Sequence, residues 1–275
     1  AFDAQLYSRR KRNTRNNELY WTNYQSLEEI QDWFNHLAEV HRDIVTVVNA
    51  GASHEGRNIT GIKIARGNPN RAFFLEAGQV AADWLSPTVL TYLVDQLVKG
   101  EDPEAMRASE EFEWHIFPIV NPDGFHFSQE SVSYTNNHTP SANNYIGIGP
   151  FSEVETRQLS RYVDSIGSRL TGFLSFRSFG QRLITIGRRA MGSMAVKYNT
   201  QYPVGTSKEV LDGATGSIVD WAKHRYNPPI AATYYLRDEG LWGYTLPVNQ
   251  ITPTCEETYD SLLAILREAR FINVI

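Results

Sequence analysis

The chain has 275 residues, a formal net charge of −5 at pH 7, 41% hydrophobic residues and 21% charged residues. This length and composition are ordinary for one large soluble α/β domain with an ample core. The negative net charge argues against nucleic acid or an acidic membrane as the main partner, and no apolar run reaches the roughly 18 residues that a membrane span needs.

The N-terminal fifteen residues are predicted to be a basic tail, and residues 16–275 are assigned to one domain. The tail carries the run Arg9-Arg-Lys-Arg12. Such a run is usually a solvated segment, and a protease processing site at the end of a pro-segment is the alternative. The first helix is predicted to begin at the capping box Ser26-Leu-Glu-Glu29. Its apolar residues recur at helical spacing, namely Leu27, Ile30, Phe34, Leu37 and Val40.

The rest of the chain alternates apolar strand-like runs with helical segments. Strands are predicted over residues 44–48, 60–65, 72–77, 114–120, 172–176, 182–186 and 231–236. Helices are predicted over residues 87–98, 152–170, 191–198, 217–224 and from Pro253 towards the C-terminus. Asn121-Pro-Asp-Gly124 predicts a turn, and residues 127–150 predict a long irregular loop. This alternation predicts one mixed sheet with helices on both faces.

Outside the loop of residues 76–87, few residues are candidates for catalysis or metal binding. His36, Glu39 and His41 have metal-like spacing, but they lie on an amphipathic helix, where a solvated face is the better interpretation. The chain has one cysteine, Cys255, so it has no internal disulfide, and we expect this thiol to be buried and inert. A nucleophile elbow of the Gly-x-Ser-x-Gly type does not occur in the sequence.

The loop that matters is Glu76-Ala-Gly-Gln-Val-Ala-Ala-Asp-Trp-Leu-Ser-Pro87. It follows an apolar run that reads as a buried strand, and it opens an apolar helix. In α/β proteins this junction is a common ligand site, because strand C-termini and helix N-termini converge there.

Several ordered segments of this sequence resemble the zinc metallocarboxypeptidases of the pancreatic carboxypeptidase A and B type. They run from about Tyr20 to the C-terminal helix and include Gly56-Arg57, Trp84-x-Ser-Pro87, Asn121-Pro-Asp-Gly-Phe125, Phe151-Ser-Glu-x-Glu-Thr156, Leu236-Arg-Asp-x-Gly240, Gly243-Tyr-x-Leu-Pro247 and Ile251-x-Pro-Thr-x-Glu-Glu-Thr258. The resemblance implies a single α/β domain with a mixed eight-stranded sheet sandwiched between helices, and an extracellular, secreted location.

At the positions where the family carries its three zinc ligands, this chain has Val80, Asp83 and Arg177. An isopropyl group donates nothing, and a guanidinium cation repels a metal dication. Tyr235 stands at the family's general-base position, and a phenol stays protonated near neutral pH and is a poor base. We therefore expect no metal cofactor and no catalytic residue.

The family's substrate-holding positions have also changed. By the same resemblance, its arginines and its carboxylate clamp fall at Ala82, Asn136, Asn143 and Asn144. The mobile tyrosine of the family falls near Asp212, and an old pocket would lie near Asp212 and Val219.

The replacements suggest a charge rearrangement. Asp83 has lost a dication and Arg177 has brought a positive charge, so we expect these two side chains to form an ion pair that Tyr235 caps by a hydrogen bond.

The leading hypothesis is a secreted, non-enzymatic carboxypeptidase homologue that works by binding an unknown protein partner, by self-association or as a structural component. A hydrolase with a rebuilt site and a peptide-sequestering protein are the alternatives. Two glycosylation sequons begin at Asn58 and Asn137, and a secreted location would make both available for modification.

Overall fold

One eight-stranded mixed sheet runs through the computed structural model, which describes residues 19–130, 151–185, 198, 200–210 and 216–275. The strands are β1 Val45–Ala52, β2 Asn58–Ile64, β3 Ala72–Glu76, β4 Glu113–Phe117, β5 Leu170–Arg177, β6 Arg182–Thr185, β7 Val204–Gly205 and β8 Ile230–Tyr235. Their order across the sheet is β1-β2-β4-β3-β5-β8-β6-β7. The central strands β4, β3, β5 and β8 are mutually parallel, so their carboxyl ends meet at one edge.

Helices cover both faces of this sheet. They are α1 Leu27–Val40, α2 Leu85–Lys99, α3 Pro103–Glu111, α4 Pro122–Glu130, α5 Val154–Ile166, α6 Ser207–Val210, α7 Ile218–Tyr226 and α8 Ile251–Phe271. Short 3-10 turns lie at Gly167–Arg169, Gly243–Thr245 and Val248–Gln250. The resemblance predicted this single α/β domain, and the structure confirms it.

The strand β3 shows why the core has two layers. All five of its residues are buried, as expected for a parallel strand covered on both faces. Phe73 and Leu75 point into the cluster beneath α1, α2 and α8, whereas Phe74 points into the cluster beneath α5 and α7. This alternation follows from the two-residue period of a strand.

The neighbouring strand β5 approaches β3 closely at Gly172. A Cβ atom there would lie 2.0 Å from the ring of Phe73, so only glycine fits. The phenylalanine ring therefore lies directly over the β5 backbone, and the two strands that carry the candidate site are held tightly together.

Most predicted elements occur, and the exceptions have local causes. The turn predicted at Asn121-Pro-Asp-Gly124 is the start of α4, because Gly124 N–H donates to Asn121 Oδ1 at 3.0 Å and proline suits the first helical position. Residues 127–130 of the predicted irregular loop therefore belong to α4, and residues 131–150 lie outside the described part of the chain. The helix α3 was not predicted from the sequence.

One finer expectation was wrong. Ser152 does not cap α5, since Ser152 Oγ donates to Glu153 Oε1 and the helix starts at Val154. Val40 is the last residue of α1 and is 58% exposed. The capping box at Ser26 and Glu29 is confirmed, with hydrogen bonds of 2.7 and 3.1 Å. The helix predicted over residues 191–198 lies outside the described residues except for Tyr198.

Candidate functional site

The candidate site lies where β3, β5 and β8 end side by side. The sheet register pairs Glu76 with Ser175, and Arg177 with Tyr235. Two of the positions singled out from the sequence, Arg177 and Tyr235, are thus direct neighbours on adjacent strands. The loop that carries Val80 and Asp83 leaves β3 at the same edge.

This loop is fixed by backbone hydrogen bonds to the end of β4. Ala77 N–H donates to Phe117 O at 3.0 Å, and Asn121 N–H donates to Gly78 O at 3.1 Å. Gly78 has a φ of +67°, in the left-handed region that favours glycine, and a Cβ there would lie 2.8 Å from Pro118 O. The loop therefore has one defined path out of the sheet.

Asp83 is 1% exposed and accepts four hydrogen bonds. Ser86 donates from its backbone N–H at 3.1 Å and from its hydroxyl at 2.5 Å. Ser178 donates from its backbone N–H at 2.7 Å and from its hydroxyl at 2.5 Å. Burial raises the pKa of the Asp83 carboxyl, and the bonds from Ser178 and Ser86 oppose that rise. Each carboxylate oxygen faces one backbone N–H and one hydroxyl, so both oxygens are already occupied.

Arg177 belongs to a second polar cluster. Its Nη2 donates to Gln79 Oε1, and Gln79 Nε2 donates to Glu76 Oε1 at 2.8 Å. Glu76 is fully buried at the end of β3, where burial raises the pKa of its carboxyl and the charge of Arg177 lowers it. Gln79 therefore links the arginine to a buried carboxyl group.

Two further polar atoms, Ser175 Oγ and Glu76 Oε2, belong to this second cluster. The Ser175 hydroxyl lies beside the Glu76 carboxyl group and helps to lower its pKa. Neither Ser175 Oγ nor Glu76 Oε2 makes a hydrogen bond of standard geometry to another described residue, although both atoms are buried. The Glu76 carboxyl group is thus less well satisfied than that of Asp83.

The expected ion pair between Asp83 and Arg177 is not formed among the described residues. Asp83 bonds to Ser86 and Ser178, and Arg177 bonds to Gln79. The physical reason is that two hydroxyls and two backbone N–H groups satisfy the Asp83 carboxylate locally, while the buried Glu76 offers Arg177 a second negative group. The expected cap by Tyr235 on such a pair is also wrong.

Aromatic rings stand around this edge of the sheet. Phe179 and Tyr244 pack edge to face with ring centroids 5.2 Å apart. Burial raises the pKa of the Tyr244 hydroxyl, and the negative charge of Asp83 raises it further while Arg177 lowers it. Tyr244 therefore lies within electrostatic reach of both polar clusters.

Other residues of the recognisable segments have structural partners. Arg237 forms a two-pronged ion pair with Glu257, with Nε to Oε1 at 2.8 Å and Nη2 to Oε2 at 2.6 Å. Tyr202 donates its hydroxyl to Glu257 Oε1 at 2.6 Å. This pair ties the end of β8 to the helix α8, which is a role in the fold.

The remaining sequence-predicted positions are scattered. Val80 is half-buried and Ala82 is exposed, so neither adds a donor to the clusters. Val219 is 3% exposed and packs in the apolar cluster beneath α5 and α7. The other positions lie outside the described residues, namely Asn136, Asn137, Asn143, Asn144, Asp212 and the basic run 9–12. Their roles stay predictions.

Two alternatives considered from the sequence find little support. Glu39 is exposed and His36 half-buried on α1, in keeping with a solvated helix face. Cys255 is fully buried, and burial with the nearby Glu256 and Glu257 charges raises the pKa of its thiol. Within the described ranges, no group of three or more His, Cys, Asp or Glu side chains could hold a metal ion.

Zinc does not fit the residues that stand at this edge. Tetrahedral zinc needs three protein donors and an open position, whereas Val80 has none and Arg177 is a cation. The third candidate, Asp83, has both oxygens taken by Ser86 and Ser178. Within the described part of the chain, the one carboxylate at these three positions therefore has four hydrogen-bond donors of the protein around it.

Sequence reasoning missed Glu76, Gln79, Ser86 and Ser178 as site residues. A charged residue at the end of an otherwise apolar strand was a signal for Glu76. The serines gave no signal alone, because Ser178 becomes a partner of Asp83 only when β5 pairs with β3.

Solved structures define the class of fold. The carboxypeptidase A of Helicoverpa armigera superimposes with a TM-score of 0.81 at 20% identity, covering 97% of this chain and 79% of that one. The mixed sheet and the helices that flank it are therefore those of the carboxypeptidase-like α/β fold.

Sequence comparison identifies the family. The family model described as zinc carboxypeptidase matches residues 30–191 and 184–261. Zinc carboxypeptidase A 1 of Anopheles gambiae is 33% identical over 300 residues, with 90% of this chain and 68% of that protein covered. The zinc carboxypeptidase of Simulium vittatum is 31% identical, with 90% and 97% covered. The chain belongs to the zinc carboxypeptidase family.

The described helices were also searched for a membrane span. None of them combines the length and apolar character that crossing a bilayer requires.

Proposed function

We propose that this chain is a secreted, non-hydrolytic member of the zinc carboxypeptidase family that acts by binding a protein partner. The observation that carries the proposal is the chemistry of the three ligand positions, where Val80 has no donor, Asp83 is saturated and Arg177 is cationic. Losing all three donors removes both the metal and the water that it would activate.

The position of the general base supports the same proposal. Tyr235 ends β8 directly beside Arg177, where a carboxylate would be needed to take a proton from water. The tyrosine side chain has no carboxylate to serve as that base. Restoring the metal alone would therefore not restore hydrolysis.

The test of lost hydrolysis is a turnover assay with a blocked dipeptide substrate of carboxypeptidases, run with added zinc and again with a chelator. We expect the rate to equal the buffer rate in both. Turnover that the chelator abolishes would overturn the proposal and favour a rebuilt hydrolase. An active carboxypeptidase A assayed in parallel shows that the substrate and the chelator work.

A rigid apolar loop supports binding as the remaining activity. We call residues 239–245 the rim loop, and it exposes 84% of Leu241 and 48% of Trp242. The Asp238 carboxylate fixes it by accepting hydrogen bonds from three backbone N–H groups, those of Gly240 at 3.1 Å, Trp242 at 2.7 Å and Gly243 at 3.0 Å. Although partial burial opposes them, these bonds lower the pKa of Asp238.

A preorganised loop that presents a tryptophan and a leucine to solvent resembles the anchors of protein interfaces, where large side chains enter a pocket of the partner. The loop includes Tyr244, whose ring packs against Phe179, and these two side chains are 37% and 38% exposed. We therefore assign the partner surface to the rim loop together with Phe179.

The binding test compares the rim-loop variant Leu241→Ser/Trp242→Ser with Phe271→Ser. Phe271 is 82% exposed at the end of α8, so Phe271→Ser is a control in which an exposed apolar side chain on another element becomes polar. Partners crosslinked to the natural protein are identified, and their affinity for each purified variant is measured. We expect the rim-loop variant alone to lose affinity, by at least about tenfold. Equal affinity of both variants would contradict this assignment.

A further inference from the structure

Asn58 is the first residue of β2, and its side chain is exposed. It is paired with β1, which is an edge strand, close to an irregularity between Asn49 and Ala52. The sequence Asn58-Ile-Thr60 fits the acceptor pattern for N-linked glycosylation. The pattern alone is weak, so the geometry of the amide decides its value.

The orientation of the Asn58 amide follows from its neighbours. Gly51 N–H donates to Asn49 Oδ1 at 2.8 Å, which requires Asn49 to turn its oxygen towards Gly51. Asn49 must then use its Nδ2 as a donor, and it donates to Asn58 Oδ1 at 2.9 Å. A backbone N–H can only donate, so this relay fixes both amides without ambiguity.

The consequence is that Asn58 turns its oxygen to the protein and its nitrogen away from Asn49. Asn58 Nδ2 donates to no partner within the described parts of the chain. Nδ2 is the atom that receives the sugar, and a glycan there leaves the bond from Asn49 intact. The folded chain therefore tolerates the modification without losing a hydrogen bond.

The other two residues of the triplet are equally well placed. Ile59 is fully buried in the apolar cluster beneath α5 and α7, on the opposite side of the strand from Asn58. Thr60 follows two residues after Asn58, so the hydroxyl that the acceptor pattern requires lies on the same face of β2. Ile59 thus packs in the core on one face of β2, while Asn58 and Thr60, the two residues that the acceptor pattern requires, lie on the other face.

We propose that Asn58 carries an N-linked oligosaccharide at the edge of the β1–β2 pair. In the reaction, Asn58 Nδ2 forms a bond to the anomeric carbon of an oligosaccharide carried on a lipid diphosphate. The bond between that carbon and the diphosphate oxygen breaks, the lipid diphosphate leaves with the electron pair, and Nδ2 loses one proton.

This inference rests on the secreted location in the proposed function, since the modification occurs on chains that enter the secretory pathway. It does not rest on the loss of hydrolysis. Glycosylation of Asn58 and loss of hydrolysis can therefore fail separately, and the experiments show which of them fails.

The experiment is peptide mapping of the natural secreted protein after treatment with peptide N-glycosidase in heavy-oxygen water. Trypsin releases the segment Asn58–Lys63, because Arg57 precedes it. We expect Asn58 to be converted to heavy-oxygen aspartate, since the glycosidase leaves an aspartate where it removes a glycan. An unmodified Asn58 in secreted protein, or a chain that is found only inside cells, overturns the inference.

Matched variants expressed through the secretory pathway of animal cells separate the glycan from folding. Thr60→Ser keeps the acceptor pattern, whereas Thr60→Val keeps the shape and removes it. All of these variants also carry Asn137→Gln, which removes the second acceptor triplet of the chain. In this background we expect Asn58→Gln and Thr60→Val to lose the glycosidase-sensitive mobility shift and Thr60→Ser to retain it. A shift that persists in Thr60→Val in the same background would contradict the assignment to Asn58. If Asn58 is unmodified and the chain shows no turnover, this inference fails and the proposed loss of hydrolysis stands. If Asn58 carries a glycan and the chain shows zinc-dependent turnover, the proposed loss of hydrolysis fails and this inference stands.

Discussion

Asp83 and Ser178 are joined by two hydrogen bonds across 95 positions of sequence, from the backbone N–H of Ser178 at 2.7 Å and from its hydroxyl at 2.5 Å. The pair connects the loop after β3 to the end of β5. These are the two chain segments that a bound zinc ion would link in the family. In this chain a carboxylate and a serine make that connection.

The first prediction concerns Asp83→Asn. An asparagine must set its amide N–H₂ against a backbone N–H of Ser86 or Ser178, so we expect the free energy of unfolding to fall by about 3 kcal/mol, as for a lost charge-assisted hydrogen bond in a buried site. Chemical denaturation measures the change. The control is Asp164→Asn, whose carboxylate is 42% exposed beside Arg225 and should cost less than about 1 kcal/mol. Equal losses in the two variants would contradict the role given to Asp83.

The second prediction concerns the pH dependence of Glu76→Gln. Burial raises the folded pKa of Glu76 above the ordinary value of 4.5, and Arg177 only partly opposes it. Above pH 4.5 the unfolded chain releases this proton more readily than the folded chain, so wild-type stability falls as the pH rises towards the folded pKa. We expect Glu76→Gln to lack this loss, so its stability relative to wild type should increase from pH 4.5 upwards.

The control for Glu76 is Glu113→Gln. The folded pKa of Glu113 lies below 4.5, because Arg169 and His115 outweigh its partial burial. Wild-type stability then falls as the pH drops from 4.5 through the folded pKa, so the wild-type advantage over Glu113→Gln should shrink at acid pH. Denaturation curves at a series of pH values measure both slopes. Slopes of the same sign would be inconsistent with a raised pKa at Glu76.

The third prediction compares two glycines with left-handed backbone. Gly78 has φ +67° and its Cβ would meet Pro118 O at 2.8 Å, whereas Gly67 has φ +75° and nothing within 4 Å. Both alanine variants bear the backbone strain of about 1 kcal/mol. We expect Gly78→Ala to lose at least about 1 kcal/mol more, because a backbone carbonyl must move. If thermal or chemical unfolding gave the same loss of stability for Gly78→Ala and Gly67→Ala, the loop after β3 would have room to shift, which contradicts the prediction.

The fourth prediction concerns the triple variant Val80→His/Asp83→Glu/Arg177→His. It restores two imidazoles and a carboxylate at the three positions, on a fold that superimposes on a carboxypeptidase with a TM-score of 0.81. We expect it to bind about one equivalent of zinc, since three donors with an open position are a complete set. Each single variant should bind none. Failure of the triple variant to bind zinc in equilibrium dialysis would mean that the loop has moved away from the family geometry.

The sequence predicted the sheet because its signals are local. The burial of β3 and the helix α1 with its capping box each follow from a short stretch of chain. The ligand positions Val80, Asp83 and Arg177 and the base position Tyr235 came from the family resemblance, and their roles stay predictions. The pairing of Asp83 could not be predicted, since it depends on which distant side chain the β3–β5 register brings near. Simple charge balance favoured Arg177, but two serines and two backbone N–H groups satisfy the carboxylate with less desolvation.

The same limit explains Gln79 and the start of α4. Gln79 becomes important only because it lies between Arg177 and the buried Glu76. Asn121-Pro-Asp-Gly124 has the composition of a turn, and its conversion into a helix start depends on the Asn121 side chain accepting from Gly124. In both cases a side-chain amide decides the structure, and amides give little signal in a sequence pattern.

The most direct measurement of the central claim is the zinc content of the wild-type protein after dialysis against zinc and then against metal-free buffer. Elemental analysis should find less than about a tenth of an equivalent, because the three positions offer no open donor. One equivalent of zinc that survives the second dialysis would contradict the claim. It would mean that a metal site exists among residues other than Val80, Asp83 and Arg177.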